Sequence, residues 1–289
     1  MEPELIADYA CVTGEGPLWH PLERKLYWCD IPKGRLFRYD PATGAHEMCF
    51  EYPEAIGGFT VQADGTLLLF MARGAVKIWR EGKLETVIAE IPEERDNRFN
   101  DVIADPQGRV FCGTMSTRER LGRLYRLDTD GSLRVVIEGV GTSNGMGFTP
   151  DRKGMYYTDT RAHEIYLFDY DQASGEISNR RVFVHVPEDE GEGHPDGMTV
   201  DAAGNVWSAR WDGGCLVQYD PHGVELQRFA FPAKKVSSVT FGGPDYTEIY
   251  VTTAFGHRKE TDGPGAGALF RLNLGIQGVP EFFSRVQVN

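Results

Sequence analysis

The fold of this chain is predicted from the stretch Asp105-Pro-Gln-Gly-Arg-Val-Phe111, which is followed by Gly122-Arg-Leu-Tyr-Arg-Leu-Asp128. It holds a turn rich in Asp, Pro and Gly, then a short apolar run, and then a second run that ends at an acidic residue. Short apolar runs bounded by such turn residues are typical of β-strands. The stretch therefore predicts two strands and the connection between them.

The same pattern occurs six times along the 289 residues, and its turns recur 42 to 51 residues apart. This period is typical of propeller blades, and each unit holds about four strand-length runs, enough for one four-stranded blade. No segment has a sustained apolar period of 3.6 residues, so we expect few helices. The copies begin at His20, Ala63, Asp105, Pro150, Asp201 and Gly243.

These repeats predict an all-β fold, a six-bladed β-propeller with a central channel, in which residues 1–289 form a single domain. A β-sandwich or a barrel also contains regular short strands, but neither explains why the same strand-turn-strand pattern occurs six times in the sequence. The mouth of the channel, where the loops of all blades meet, is the expected place for a functional site.

The composition excludes several classes of partner. The hydrophobic fraction of 41% is typical of a soluble globular protein, while the net charge of −13 argues against binding to nucleic acid or to an anionic membrane. The N-terminus is acidic and lacks a secretory signal, and the five cysteines form no C-x-x-C pair. We expect a cytoplasmic protein with reduced thiols, and a monomer or a weak homo-oligomer.

Polar side chains stand at equivalent points, just before the apolar runs of four repeats. Equivalent positions in a propeller converge around its axis, so we expect these residues to meet. Their carboxylates and carboxamides are hard oxygen ligands, which suit a divalent cation. Without a cation, the two carboxylates Glu15 and Asp196 would repel each other unless one kept its proton. The four positions are Glu15, Asn100 with Asp101, Asn144 and Asp196.

Taken singly, these residues also have an ordinary interpretation. Asn144-Gly145 and Asp196-Gly197 are common turn dipeptides, and Glu15 between two glycines is typical of a solvated acid in a turn. Only their shared register favours a common site.

Five short motifs resemble those of the SMP-30/gluconolactonase/luciferin-regenerating-enzyme family, in the same order and over nearly the whole chain. This resemblance implies a six-bladed propeller with one catalytic divalent metal in the channel, and many members of that family hydrolyse sugar lactones. The motifs are Gly14-Glu-Gly-Pro-Leu-Trp19, Asn97-Arg-Phe-Asn-Asp101, Gly113-Thr-Met115, Ser143-Asn-Gly145 and Pro195-Asp-Gly-Met198.

The resemblance also implies roles for individual residues. Glu15, Asn144 and Asp196 match the family's ligands for one divalent cation, which is Ca²⁺, Zn²⁺, Mn²⁺, Mg²⁺ or Fe²⁺. Arg98 and Asn100 match its substrate-binding residues. Glu119 is the expected counterpart of a further acid that contacts substrate, although its loop is shorter here than in the animal members.

Together these observations predict metal-dependent hydrolysis of a sugar lactone to the aldonic acid. Asp196 is expected to act as the general base as well as a ligand. No Gly-x-Ser-x-Gly motif is present, which argues against a serine nucleophile. The alternatives are a metal-dependent hydrolase of the phosphotriesterase type and a non-catalytic propeller that serves as an interaction scaffold.

Overall fold

The computed structural model describes residues 2–189, 191–256 and 261–287. Within these ranges the chain forms six antiparallel sheets of four strands each. The sheets are arranged as a six-bladed β-propeller, which confirms the predicted fold class. Residues 1, 190, 257–260, 288 and 289 of the expected single domain lie outside the described ranges.

The strands have the following bounds in chain order. Strand β1 spans Glu4–Asp8. Blade 1 comprises β2 (Gly14–His20), β3 (Lys25–Asp30), β4 (Arg35–Asp40) and β5 (Ala45–Glu51). Blade 2 comprises β6 (Ile56–Val61), β7 (Leu67–Met71), β8 (Val76–Arg80) and β9 (Lys83–Ile88). Blade 3 comprises β10 (Phe99–Ala104), β11 (Val110–Thr114), β12 (Gly122–Leu127) and β13 (Leu133–Val140).

Blade 4 comprises β14 (Ser143–Phe148), β15 (Gly154–Asp159), β16 (Glu164–Tyr170) and β17 (Ile177–His185). Blade 5 comprises β18 (His194–Val200), β19 (Val206–Trp211), β20 (Cys215–Tyr219) and β21 (Glu225–Ala230). Blade 6 comprises β22 (Lys235–Gly242), β23 (Glu248–Ala254) and β24 (Ala268–Asn273), and β1 completes it.

Strand β1 closes the ring by pairing antiparallel with β24. Glu4 lies opposite Arg271 and Ala7 lies opposite Leu269, with Ala7 buried. The two ends of the propeller are therefore joined within one sheet, which leaves no gap between the first and last blades. None of the six sequence repeats predicts this strand.

The predicted turns have the chemistry that their residues indicate. The Oδ1 atom of Asp105 accepts hydrogen bonds from the backbone N–H groups of Gln107 at 2.8 Å and Arg109 at 3.0 Å. Gly108 has a φ of +90°, which a residue with a side chain rarely adopts. Asp201 makes the equivalent backbone bonds in blade 5. The Asp-x-x-Gly turn thus links the first and second strands of a blade.

Helices are few, as predicted. In the described ranges they are three short 3₁₀ turns at Ile31–Lys33, Pro92–Glu94 and Thr160–Ala162. None of these has the length or the apolar character needed to cross a membrane. The five cysteines are all free thiols.

The hydrophobic core lies between blades rather than at one centre. The described residues form six apolar clusters, each made by two neighbouring sheets. Between blades 1 and 2, for example, Tyr27 and Leu36 pack with Leu69 and Trp79. Full burial of such a side chain contributes about 1.5–3 kcal/mol, so these layers hold the blades in a fixed ring.

The innermost strands β2, β6, β10, β14, β18 and β22 are neighbours around the central channel. Each is the first strand of its blade, so all six run in the same direction along the channel. The C-terminal segment 278–286 crosses the end where these strands finish: Ser284 accepts a hydrogen bond from Thr60, and Phe282 contacts Phe148. Glu281 in this segment lines an internal cavity of about 70 Å³. The other end of the channel, where the inner strands begin, carries the polar residues.

Candidate active site

The inner strands are irregular near their beginnings in every blade, since each shifts register there against the second strand of its blade. Such β-bulges bend a strand and re-aim its side chains. Asn100, Asn144 and Asp196 lie inside these irregular stretches, and Glu15 lies at the edge of one. The shifts fall at Glu15/Leu18, Ile56/Gly58, Phe99/Val102, Ser143/Met146, Pro195/Met198 and Val236/Ser238.

The structure contradicts the interpretation of these residues as ordinary turn residues, and two glycines have other roles here. Gly16 has a φ of +56° and its N–H donates to Oε2 of Glu15 at 3.0 Å, so this glycine orients the carboxylate. A Cβ atom at Gly145 would lie 2.4 Å from the backbone N of Met198, so this glycine lets β14 approach β18. Glu15 is buried, and Asn144-Gly145 and Asp196-Gly197 lie within strands.

Four predicted residues meet at this end of the channel. Nδ2 of Asn100 donates to Oδ1 of Asn144 at 2.9 Å, and the Asn144 side chain lies close enough to Asp196 to lower the pKa of that carboxyl group. Glu15 lies within electrostatic reach of Asp196. All four side chains are at least 95% buried, with exposures of 2% for Glu15, 5% for Asn100 and 4% for both Asn144 and Asp196. The expected convergence of blades 1, 3, 4 and 5 is therefore present.

Burial and mutual repulsion make it costly to ionise all the carboxyl groups of this cluster at once. Burial raises the pKa of Glu15 well above its usual range, and the charges of Asp101 and Asp196 raise it further. Burial, followed by the charge of Asp101, raises the pKa of Asp196 in the same way. Burial alone raises the pKa of Asp101 to about 7. The guanidinium of Arg98 opposes these shifts, but one positive charge faces three carboxylates.

The donor set fits a divalent cation. Two carboxylates and one amide oxygen are hard ligands, and a cation would offset the charge that burial makes costly. Over the described ranges, no three His, Cys, Asp or Glu side chains form a metal-binding group by themselves. The third ligand of the proposed site is therefore the amide oxygen of Asn144, because asparagine is not one of these four residue types.

Arg98 lies beside this cluster. Its Nη1 atom donates to Oδ1 of Asn100 at 2.7 Å and to the carbonyl of Phe99 at 2.9 Å. The side chain is only half-buried, and in the described segments its Nε and Nη2 atoms have no hydrogen-bond partner. These donors are free to bind hydroxyl or carbonyl oxygens of a ligand.

Glu119 lies apart from the buried cluster. It is exposed on the loop between β11 and β12, where its backbone N–H donates to Oγ1 of Thr117 at 3.2 Å. Arg120 ties the same loop to Glu94 at 3.0 Å and to Asp96 at 2.7 Å. Among the described contacts, none joins the Glu119 carboxylate to the cluster, so its substrate role stays a prediction.

Two residues of the site received no role from the sequence. Asp101, which the sequence places with Asn100 at one of the four converging positions, adds a third carboxylate. Thr160 accepts a hydrogen bond from Nδ2 of Asn144 at 2.8 Å and donates to the carbonyl of Pro195 at 2.7 Å. Thr160 belongs to none of the polar motifs, so only the structure reveals it.

The chain is similar in sequence and in structure to several known proteins. Residues 13–255 match the sequence model of the SMP-30/Gluconolactonase/LRE-like region. The chain is 52% identical to the pentonolactonase of Haloferax volcanii, covering 98% of both chains, and 35% identical to the regucalcin of Xenopus laevis, covering 96% of both. It superposes on the crystal structure of a calcium-binding protein, regucalcin, from Agrobacterium tumefaciens with a TM-score of 0.90. That pair is 25% identical, over 98% of this chain and 97% of the other.

Proposed function

The chain belongs to the SMP-30/gluconolactonase/LRE-like family, and we propose that it is a sugar lactonase. In this proposal, the protein uses one divalent cation to hydrolyse an aldonolactone to the aldonic acid. The observation that carries the proposal is the buried cluster of Glu15, Asn144 and Asp196 beside the free guanidinium donors of Arg98. The relative that is 52% identical over 98% of the chain is named a pentonolactonase, which supports the same reaction.

Glu15, Asn144 and Asp196 would hold the ion, with Ca²⁺, Zn²⁺, Mn²⁺, Mg²⁺ and Fe²⁺ as the candidates. Calcium has additional support from the calcium-binding structural neighbour. A divalent ion bound there supplies Lewis acidity, which polarises a carbonyl group and stabilises negative charge on its oxygen. Glu15 and Asp196 would be held as carboxylates once a cation offsets their mutual repulsion.

Asp196 is the proposed general base. A water molecule attacks the lactone carbonyl carbon, and Asp196 accepts the proton that this water loses. Cleavage of the ring C–O bond then frees an alkoxide, which takes the proton back from Asp196. Asp196 acts here as a carboxylate, which is the form that a bound cation would favour. The products are a hydroxyl group and a carboxylic acid, so the atoms balance.

Arg98 and Asn100 are the proposed substrate-binding residues. The unpaired Nε and Nη2 donors of Arg98 match the hydroxyl and carbonyl oxygens of a sugar lactone. Asn100 holds this guanidinium through Oδ1 and reaches the metal ligand Asn144 through Nδ2. The pair thus places substrate next to the metal. Among aldonolactones we propose a five-carbon substrate, following the pentonolactonase relative.

A substrate panel tests this function. Metal-stripped protein is reconstituted with each divalent ion and assayed on pentonolactones, hexonolactones and an organophosphate triester. We expect acid release from lactones, fastest for a pentonolactone, and loss of that activity with a chelator. Hydrolysis of the triester without hydrolysis of any lactone would favour the phosphotriesterase alternative. Inactivity on the whole panel with a bound metal would favour the scaffold.

A further inference from the structure

A directed chain of hydrogen bonds runs through blades 3, 4 and 5. Arg98 donates to Oδ1 of Asn100 at 2.7 Å, and Nδ2 of Asn100 donates to Oδ1 of Asn144 at 2.9 Å. Nδ2 of Asn144 donates to Oγ1 of Thr160 at 2.8 Å, and the Thr160 hydroxyl donates to the carbonyl of Pro195 at 2.7 Å. Each member therefore donates to the next.

The two ends of this chain set its direction. A guanidinium has only donors and a proline carbonyl has only an acceptor, so no member can reverse its role without breaking a bond. The orientation of an Asn amide is otherwise inferred only from its partners. Here Asn144 must direct Nδ2 towards Thr160 and Oδ1 towards Asn100. One lone pair of Oδ1 accepts from Asn100, and the other is left for a cation.

We infer that Thr160 is a positioning residue, whose hydroxyl fixes the amide of Asn144 so that its oxygen serves the cation. This inference rests on the proposed metal site. Thr160 is on the 3₁₀ turn that follows β15, so a neighbouring rigid element supplies the acceptor. Its second bond, to Pro195, reaches the residue directly before Asp196. One hydroxyl thereby ties a metal ligand in blade 4 to the backbone beside a metal ligand in blade 5.

Loss of this hydroxyl has a defined consequence. Without Oγ1, an N–H of Asn144 loses its acceptor and the carbonyl of Pro195 loses its donor. The Asn144 amide then keeps the bond that its Oδ1 accepts from Asn100 but loses the acceptor of its Nδ2, so the oxygen is held less firmly in the orientation that serves a cation. Outer-shell partners of metal ligands typically affect metal affinity by about 10- to 100-fold. We expect the loss to appear as a lower affinity for the metal, because Thr160 contacts the proposed ligand Asn144 and the rest of the cluster is unchanged.

The test measures Mn²⁺ binding to metal-stripped protein by titration calorimetry. Thr160→Val keeps the side-chain shape and removes the hydroxyl, and we expect its dissociation constant to rise about 10-fold or more. Thr160→Ser restores the hydroxyl and should bind within about threefold of the unsubstituted protein. The matched control is Thr158→Val in β15, which removes a buried hydroxyl that finds no hydrogen-bond partner among the described residues, and it should leave the affinity unchanged.

Thermal unfolding in excess chelator shows whether each variant folds. If Thr160→Val does not fold, Thr160→Ala removes the same hydroxyl without adding a methyl group. Unchanged Mn²⁺ affinity in a folded variant without the hydroxyl overturns the positioning role, and the proposed function stands if the protein still binds one ion and opens lactones. Failure of the unsubstituted protein to bind any divalent ion overturns both. Equal losses in Thr160→Val and Thr160→Ser also contradict the role, because the hydroxyl would then not be the cause.

Discussion

The side chain of Asn100 donates a hydrogen bond to Oδ1 of Asn144 at 2.9 Å and thereby joins the inner strands of blades 3 and 4. Asn100 is a proposed substrate-binding residue, and Asn144 is a proposed metal ligand. The substrate side and the metal side of the site therefore share a bond. Asn100 also accepts from Arg98, so the three residues form one network rather than two separate subsites.

This network predicts different losses at two neighbouring residues. Arg98→Ala should lower kcat/KM for a lactone by about 10- to 100-fold, because a hydrogen bond to a charged group contributes about 1.5–3 kcal/mol, while bound metal stays at one ion. Asn100→Ala should lower kcat/KM and also weaken metal binding, since Asn144 loses the donor to Oδ1. Steady-state kinetics with metal analysis separates the two. Loss of metal from Arg98→Ala would contradict the assignment of its role.

Substitution of Asp196 separates its two proposed roles. Asp196→Asn keeps an oxygen that can bind a cation but removes the basic carboxylate, so turnover at saturating metal should fall about 10²- to 10⁴-fold. Rates must be compared over a series of metal concentrations, because weaker binding lowers the rate at any single one. Near-normal turnover at saturation would leave Asp196 as a ligand only.

The buried carboxyl group of Glu281 should make the stability of the fold depend on pH. Burial raises its pKa to about 7, above the value of about 4.3 in an unfolded chain. A raised carboxyl pKa stabilises the fold below the unfolded pKa, and this contribution is lost as pH rises through about 7. Glu281→Gln should therefore gain up to about 3 kcal/mol relative to the parent protein between pH 4 and pH 8.

Urea unfolding at both pH values measures this change. The exposed Glu85→Gln variant serves as the control for loss of one surface charge. A stability difference between Glu281→Gln and the parent that is the same at pH 4 and pH 8 would refute the prediction.

Closure of the ring by β1 predicts a contrast between two positions on one strand. Ala7 is 2% exposed and Leu5 is 49% exposed. Ala7→Asp places an unpaired charge inside the closing sheet and should destabilise the fold by about 3 kcal/mol or more, whereas Leu5→Asp should change stability by less than about 0.5 kcal/mol. Thermal unfolding compares the two. Equal effects would mean that this strand does not close the ring.

The repeated turns rich in Pro, Asp and Gly made the six blades predictable, because such turns form from local contacts and their spacing repeats. Strand β1 was not predictable in the same way. Glu4–Asp8 is short, and its partner β24 lies more than 250 residues later in the chain. Its strand conformation comes from that distant pairing, which leaves no local turn signal. The same reason applies to segment 278–286, whose position depends on contacts with inner strands of several blades.

For the site, register predicted that Glu15, Asn100, Asn144 and Asp196 converge, and they do. Register did not reveal that β-bulges aim these side chains, because a bulge depends on the pairing of two strands. It also missed Thr160, which reaches Asn144 from a 3₁₀ turn outside the repeat positions. Glu119 is the reverse case: the family resemblance named it, but its loop is shorter here, and the resemblance does not determine where its side chain lies.

The most direct test of the proposed metal-dependent lactonase is a titration of metal-stripped protein with one divalent ion, with acid release from a pentonolactone followed at each addition. We expect activity to be absent at the start, to rise linearly and to stop rising at one ion per chain. Glu15→Gln should abolish both the rise in activity and the bound ion, because a carboxylate ligand is lost. Full activity in the stripped protein, or an activity that Glu15→Gln leaves unchanged, would show that lactone hydrolysis does not depend on a metal at this site.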